Sequence, residues 1–111
     1  MEKLEKYRTY IEQLLTKYGN YKIAYGDIEK QLLFDRERDH YQLCMFGWEG
    51  EQRVRGCLLH LDIKQGKIWL QHDSTESNIA TELVALGVSK EDIVLAFHPP
   101  YLRPYTDFAT G

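Results

Sequence analysis

The side chains of this sequence best suited to chemistry are two short groups of polar and aromatic residues. One runs His60, Asp62, Trp69, Gln71 and Asp73; the other is His98-Pro99-Pro100 with Tyr105 a few residues on. A histidine two positions from an aspartate on an extended chain puts both on one side, where the imidazole could take a proton or the pair could bind a metal. Against that, no fourth strong ligand and no nucleophile accompanies them. Asp62-Ile63-Lys64 has the D-x-K form found on a strand of many metal-dependent nucleases, but no Pro-Asp pair precedes it and Lys64 abuts a turn. A metal-dependent nuclease or a hydrolase using His60 and Asp62 is therefore the alternative reading. The leading one is a half-buried polar face covered by the aromatic tail; where the face is used at all, the Trp69 indole favours protein binding.

Phosphate-cradling glycine loops, H-E-x-x-H and G-x-S-x-G are absent. No catalytic, metal or cofactor residues are assigned. Cys44 and Cys57 lack the tight spacing of a zinc site and read as two small apolar side chains in a reducing compartment. His40 at the edge of a charged loop and His72 on the expected core face read as structural. His98, held rigid by the prolines behind it, reads as an anchor for the tail.

Four strands and two helices have to position these groups. Leu4, Tyr7, Ile11, Leu14 and Tyr18 form one helical stripe that closes near Gly19-Asn20, with Glu2 and Glu5 favourably placed at its start. From Ile28 the period becomes two, through Leu32 and Phe34 to a charged turn at Asp35-Arg36-Glu37-Arg38-Asp39. Tyr41 to Trp48, Arg53 to Lys64 and Lys67 to Asp73 follow as strands, joined by Glu49-Gly50-Glu51-Gln52 and by Gln65-Gly66. The expectation is an α+β fold built on a four-stranded antiparallel meander. The turn at Gln65-Gly66 sets Leu59 against His72, His60 against Gln71, Leu61 against Leu70 and Asp62 against Trp69. The preceding loop sets Cys44 against Cys57 and Tyr41 against His60.

A second helix is expected after a capping box at Asp73 and Glu76, with Ser74 as an alternative cap, its buried face marked by Ile79, Leu83 and Leu86 and its end by Gly87. Ser89-Lys90-Glu91-Asp92 reads as a short helical turn before the apolar run Ile93 to Phe97. The prolines at 99, 100 and 104 predict an extended tail. Phe97, Tyr101, Leu102, Tyr105 and Phe108 favour packing of that tail on its own sheet or on a second subunit, because each buried aromatic is worth roughly 1.5–3 kcal/mol.

The 111 residues fit one domain, and 43% hydrophobic with 13% aromatic content supports a real core. A net charge of −3 without a basic run lacks the electrostatic footprint of a DNA reader. No apolar stretch approaches a membrane span and the charged start, Met1-Glu2-Lys3, is unlike a signal peptide, which points to the cytoplasm.

Several strings carry a resemblance: Tyr41-Gln42-Leu43, Gly47-Trp48, the run Gly56-Cys57-Leu58-Leu59-His60-Leu61-Asp62-Ile63-Lys64, Gly66-Lys67-Ile68-Trp69-Leu70-Gln71, Lys90-Glu91-Asp92-Ile93-Val94-Leu95, Phe97-His98-Pro99-Pro100 and Tyr105-Thr106. The sequence resembles the XisI family, the fdxN-element excision controlling factors, from about residue 28 onward, and the leading helix fits the family's usual start. The resemblance implies a part in controlling site-specific excision of a DNA element from a nitrogen-fixation operon in differentiating cells (heterocysts) of photosynthetic bacteria. There a separate recombinase cuts the DNA and a nuclease-like companion, XisH, is encoded nearby; XisI-type proteins also occur in many copies outside that setting. His72 departs from the neutral polar residue expected at its position. The resemblance brings no catalytic residues. With the charge balance, it points to an accessory protein that binds an XisH-like companion through the Trp69 face or the proline-rich tail. Self-association through an exposed sheet edge is a further expectation.

Overall fold

A computed structural model describes residues 2–22 and 26–111. In chain order the elements are α1 (Lys3–Gly19), β1 (Asp27–Asp35), β2 (His40–Glu49), β3 (Gln52–Lys64), β4 (Lys67–Asp73), α2 (Ile79–Leu86), a 3-10 turn (Lys90–Asp92), β5 (Ile93–Leu95) and a 3-10 helix (Pro100–Tyr105). The fold is α+β. The expected meander forms from β1 to β4, and a fifth strand extends it: β5 returns after α2 and pairs in parallel with β4, giving the order β1-β2-β3-β4-β5. Ile93 and Val94 are fully buried, which explains why a strand of only three residues holds its position.

Both helices lie on one face of the sheet. Tyr7, Ile11, Leu14, Leu15 and Tyr18 of α1 join Ile79, Ala80 and Leu83 of α2 over Tyr41, Leu43, Leu59, Leu61, Ile68 and Leu70. Leu86, expected on the buried side of α2, is exposed. Helix α1 ends where the sequence places its end, but Asn20 stays in the right-handed region and its N–H bonds back to Thr16 O and Lys17 O. A left-handed cap is not used.

The start of α2 needs a larger correction. The cap is Asn78, whose side chain accepts from the Thr81 N–H at 3.1 Å. Asp73 instead accepts from the N–H and hydroxyl of Thr75, closing a turn that leads from β4 towards the helix. An aspartate followed by a serine or threonine serves an Asx-turn as readily as a helix cap, so the sequence pattern was ambiguous between the two.

Both hairpin registers hold near their loops and shift further along. Between β2 and β3, Cys44 faces Cys57 as expected. A bulge then adds Leu58, so Tyr41 faces Leu61, Gln42 faces His60 and His40 faces Asp62. Between β3 and β4, Asp62–Trp69 and Leu61–Leu70 pair as expected, with Ile63 against Ile68 nearer the turn. A second bulge past Leu70 puts His60 against His72 and Leu59 against Asp73. Consequently the expected pairs His60–Gln71 and Leu59–His72 do not form, and His72 is exposed instead of facing the core. A bulge bends the strand that carries it and increases its local twist.

The tail is not extended throughout. Pro100 stands at the first position of a 3-10 helix, where a missing N–H costs nothing, and Pro104 is accommodated within it. After it, Ala109 bridges to Val94 and its N–H bonds Ile93 O at 2.8 Å. No helix of the described residues is long and apolar enough to cross a membrane.

Candidate functional site

The sheet face opposite the helices carries the polar group. Asp62 is its centre: Oδ1 meets His40 Nδ1 at 2.9 Å and His60 Nε2 at 3.0 Å, and Oδ2 accepts from Gln71 Nε2 at 3.2 Å. Strand alternation presents His60 and Asp62 together, the β2–β3 bulge delivers His40, and β4 supplies Gln71. His40 was assigned only a structural part from the sequence; the bulge shifts its partner from Leu61 to Asp62, and no signal in the sequence announces it. Asp73 does not join the group, because its carboxylate is committed to Thr75.

These side chains satisfy one another through protons. Both oxygens of Asp62 already accept hydrogen bonds, and among the described residues no set of three or more His, Cys, Asp and Glu side chains is arranged to hold a metal ion. A hollow of about 370 Å³ lies on the same face but further along β2 and β3, lined by Gln42, Cys44, Phe46, Arg55 and Cys57. Both cysteines are free thiols. Burial, reinforced by the neighbouring Cys44, pushes the Cys57 thiol up to about 11, so it stays protonated and is a poor nucleophile near neutrality.

Trp69 is covered. Its Nε1 donates to Lys64 O at 3.1 Å, and the Lys64 ammonium lies 4.3 Å and the Arg103 guanidinium 5.5 Å from the ring centroid. Arg103 is itself held by the carbonyls of His98, Ala96 and Thr110. Lys67 Nζ reaches Gly111 O at 2.6 Å and brings the last residue against the indole. The side chain is 9% exposed, so it acts as a platform on which the tail is docked.

The tail presents what the sheet face does not. The His98 ring lies against Phe97, centroids 4.6 Å apart, next to exposed Pro99 and Pro100. Tyr101 is 73% and Tyr105 86% exposed, with Phe97 and Leu102 also open to solvent. The expected burial of these aromatics on the sheet is not observed; of the group, Phe108 alone packs against the core. Tyr101 and Tyr105 stand on a 3-10 helix with three residues per turn, so they point about a third of a turn apart and with Phe97 and Leu102 leave a broad exposed apolar patch.

A family model described as "XisI protein" matches residues 1–110. The chain belongs to the XisI family. It is similar over 97% of its length to a crystal structure of a XisI-like protein from Anabaena variabilis ATCC 29413, which it covers to 99%, with 47% identity and a TM-score of 0.92. It is also similar to the crystal structure of the fdxN element excision controlling factor XisI from the same organism, at 36% identity and a TM-score of 0.87, covering 99% of this chain and 100% of that one. No curated protein matches. The XisI likeness thus reaches from α1 to the tail, further towards the start than the recognisable strings at residue 28 and beyond. The bulged β3, the parallel β5 and the docked tail all lie within the matched span.

Proposed function

We propose that this XisI-family chain is a non-catalytic controlling factor for excision of a DNA element, working in the cytoplasm by binding a protein companion of the XisH-like kind. The observation that carries this reading is the exposure of four large apolar side chains on the tail, Phe97, Tyr101, Leu102 and Tyr105. Exposed aromatics on a rigid support contribute contact area at little cost in conformational entropy, and tyrosine is enriched at binding hot spots. The Trp69 face is the weaker of the two surfaces first considered, since the tail already occupies it. The name of the solved relative, an excision controlling factor, supports the regulatory role. A net charge of −3 supports contact with protein in preference to the phosphate backbone.

The test is binding to the XisH-like companion by titration calorimetry, with Tyr101→Ala and Tyr105→Ala as variants. Each truncation is expected to weaken binding by roughly 10- to 30-fold, the range of about 1.4–2 kcal/mol. Asp62→Asn is expected to leave the affinity unchanged. A tight mobility shift of DNA by the chain alone at physiological salt, or a bond-breaking activity abolished by Asp62→Asn, would overturn the reading.

A further inference from the structure

The two edges of the sheet are treated differently. At β5 the chain blocks its own edge, with Ala109 bridged to Val94 and its N–H on Ile93 O. At the other end β1 is the outermost strand, nine residues long, and among the described residues nothing pairs with its free side. An unpaired edge offers a row of backbone donors and acceptors, and proteins usually guard one with charge, proline or a bulge. β1 contains no proline. Its one lysine, Lys30, is turned away to the carbonyls of Tyr18 and Tyr21 at the end of α1. The exposed charges Asp27 and Glu29 guard only its first half; the second half carries three consecutive large apolar residues, Leu32, Leu33 and Phe34, exposed to 37%, 46% and 38%.

We propose that β1 pairs antiparallel with β1 of a second copy of this chain about a two-fold axis, joining two five-stranded sheets into one of ten strands. The sequence of the edge selects the register. A two-fold axis perpendicular to the sheet keeps each side chain on its own face, so opposed residues must have numbers adding to an even total. A total of 62 sets Asp27 against Asp35, and 64 sets Glu29 against Asp35; both oppose like charges, which destabilises a cross-strand pair. A total of 66 sets Leu33 against its own mate, Leu32 against Phe34 twice, and Gln31 against Asp35, an amide against a carboxylate. Of these three, that register alone opposes apolar to apolar residues without opposing like charges. It also leaves the helices of both copies on one side of the continued sheet, and the tail patch, which lies at the opposite edge, free.

The paired strip is narrower than the about 1,600 Å² of a standard interface, so the dimer is expected to be concentration-dependent, with a Kd on the order of micromolar. Sedimentation equilibrium of the full chain should show the mass rising from 13.1 kDa towards twice that value. Leu33→Lys, at a half-exposed position, is expected to hold a single-chain mass with an unchanged circular dichroism spectrum and melting temperature. In a Cys44→Ala, Cys57→Ala background, Leu33→Cys should cross-link to itself under mild oxidation, since directly opposed Cβ atoms lie about 4.5–5.5 Å apart. Gln31→Cys should not. A single-chain mass at all concentrations, a dimer indifferent to Leu33→Lys, or cross-linking through Gln31→Cys in preference to Leu33→Cys would overturn the proposal.

Discussion

Arg8 grips Asp39 with two parallel hydrogen bonds, Nε to Oδ1 at 2.8 Å and Nη2 to Oδ2 at 3.1 Å. The pair fastens the first third of α1 to the turn between β1 and β2. Asp39 holds a left-handed backbone (φ 59°) that carries the chain into β2, and Asp35 shapes the same turn by accepting from the N–H groups of Glu37 and Arg38. The hydroxyl of Tyr41, a residue with no exposed surface, donates to Asp39 Oδ1 at 2.9 Å. One carboxylate therefore joins a helix, a turn and the core.

Asp39→Asn keeps a residue type that tolerates the left-handed backbone and removes the charge, so its effect isolates the carboxylate. The expected loss is about 1–2 kcal/mol, and Tyr41→Phe should cost about 1 kcal/mol. Urea denaturation monitored by circular dichroism measures both. Two unchanged midpoints would show that the clasp contributes nothing net.

Stability should fall on the acid side. Burial pushes the carboxyls of Asp39, Asp92 and Glu82 up, but it is outweighed by hydrogen bonds from Arg8 and Tyr41, from Lys3 and Tyr7, and from Tyr18 and Lys17, so all three sit below their ordinary values. Below those ordinary values, about 4, the unfolded chain takes up protons that the folded chain still refuses. The contribution is therefore complete above about pH 4 and disappears as the pH drops through the depressed folded values. Glu12, raised by burial, works in the opposite direction. Melting temperature against pH should bend downward near pH 4, and Asp92→Asn should shallow the bend. A melting temperature that stays level through this acid range would contradict the assignment.

How much of this was legible beforehand depends on the distance from each loop. The stripe of α1, the Gln65-Gly66 turn and the facing pairs Cys44–Cys57 and Asp62–Trp69 follow from periodicity and turn chemistry, which act locally. Nothing in the strand sequence marks the bulges at Leu58 and past Leu70. They changed the candidate site by bringing His40 in and taking Asp73 out. Trp69 was legible as an unusual residue on a polar face, and its cover by the tail was expected; what was not legible is that Arg103 and Gly111 make the cover while Tyr101 and Tyr105 stay exposed. β5 was missed as a strand because three apolar residues before a proline-rich tail read equally well as a buried loop.

Gly47 is the position where the β1–β2 ribbon is least forgiving. A Cβ added there would lie 2.1 Å from Asp27 O and 2.8 Å from Ile28 Cα, both backbone atoms that cannot swing aside. Gly47→Ala should therefore push β1 off β2 at its first residues and cost about 2–3 kcal/mol. The measurement is a denaturation midpoint together with hydrogen exchange of the β1 amides, which should lose protection before those of β3. Equal protection in both strands would mean the ribbon absorbs the methyl group by another route.

The hydroxyl of Tyr7 bonds Asp92 Oδ2 at 2.5 Å across 85 positions of sequence, and Lys3 reaches the same oxygen at 2.8 Å. Helix α1 thus has part of its docking surface among residues synthesised about 85 positions after it. Chains dominated by such distant contacts fold on the order of milliseconds to seconds, much more slowly than helical bundles. Until Ile93 and its neighbours emerge, the apolar stripe of α1 has an incomplete seat, and the nascent chain is at its most vulnerable to proteases and to sticking to other nascent chains.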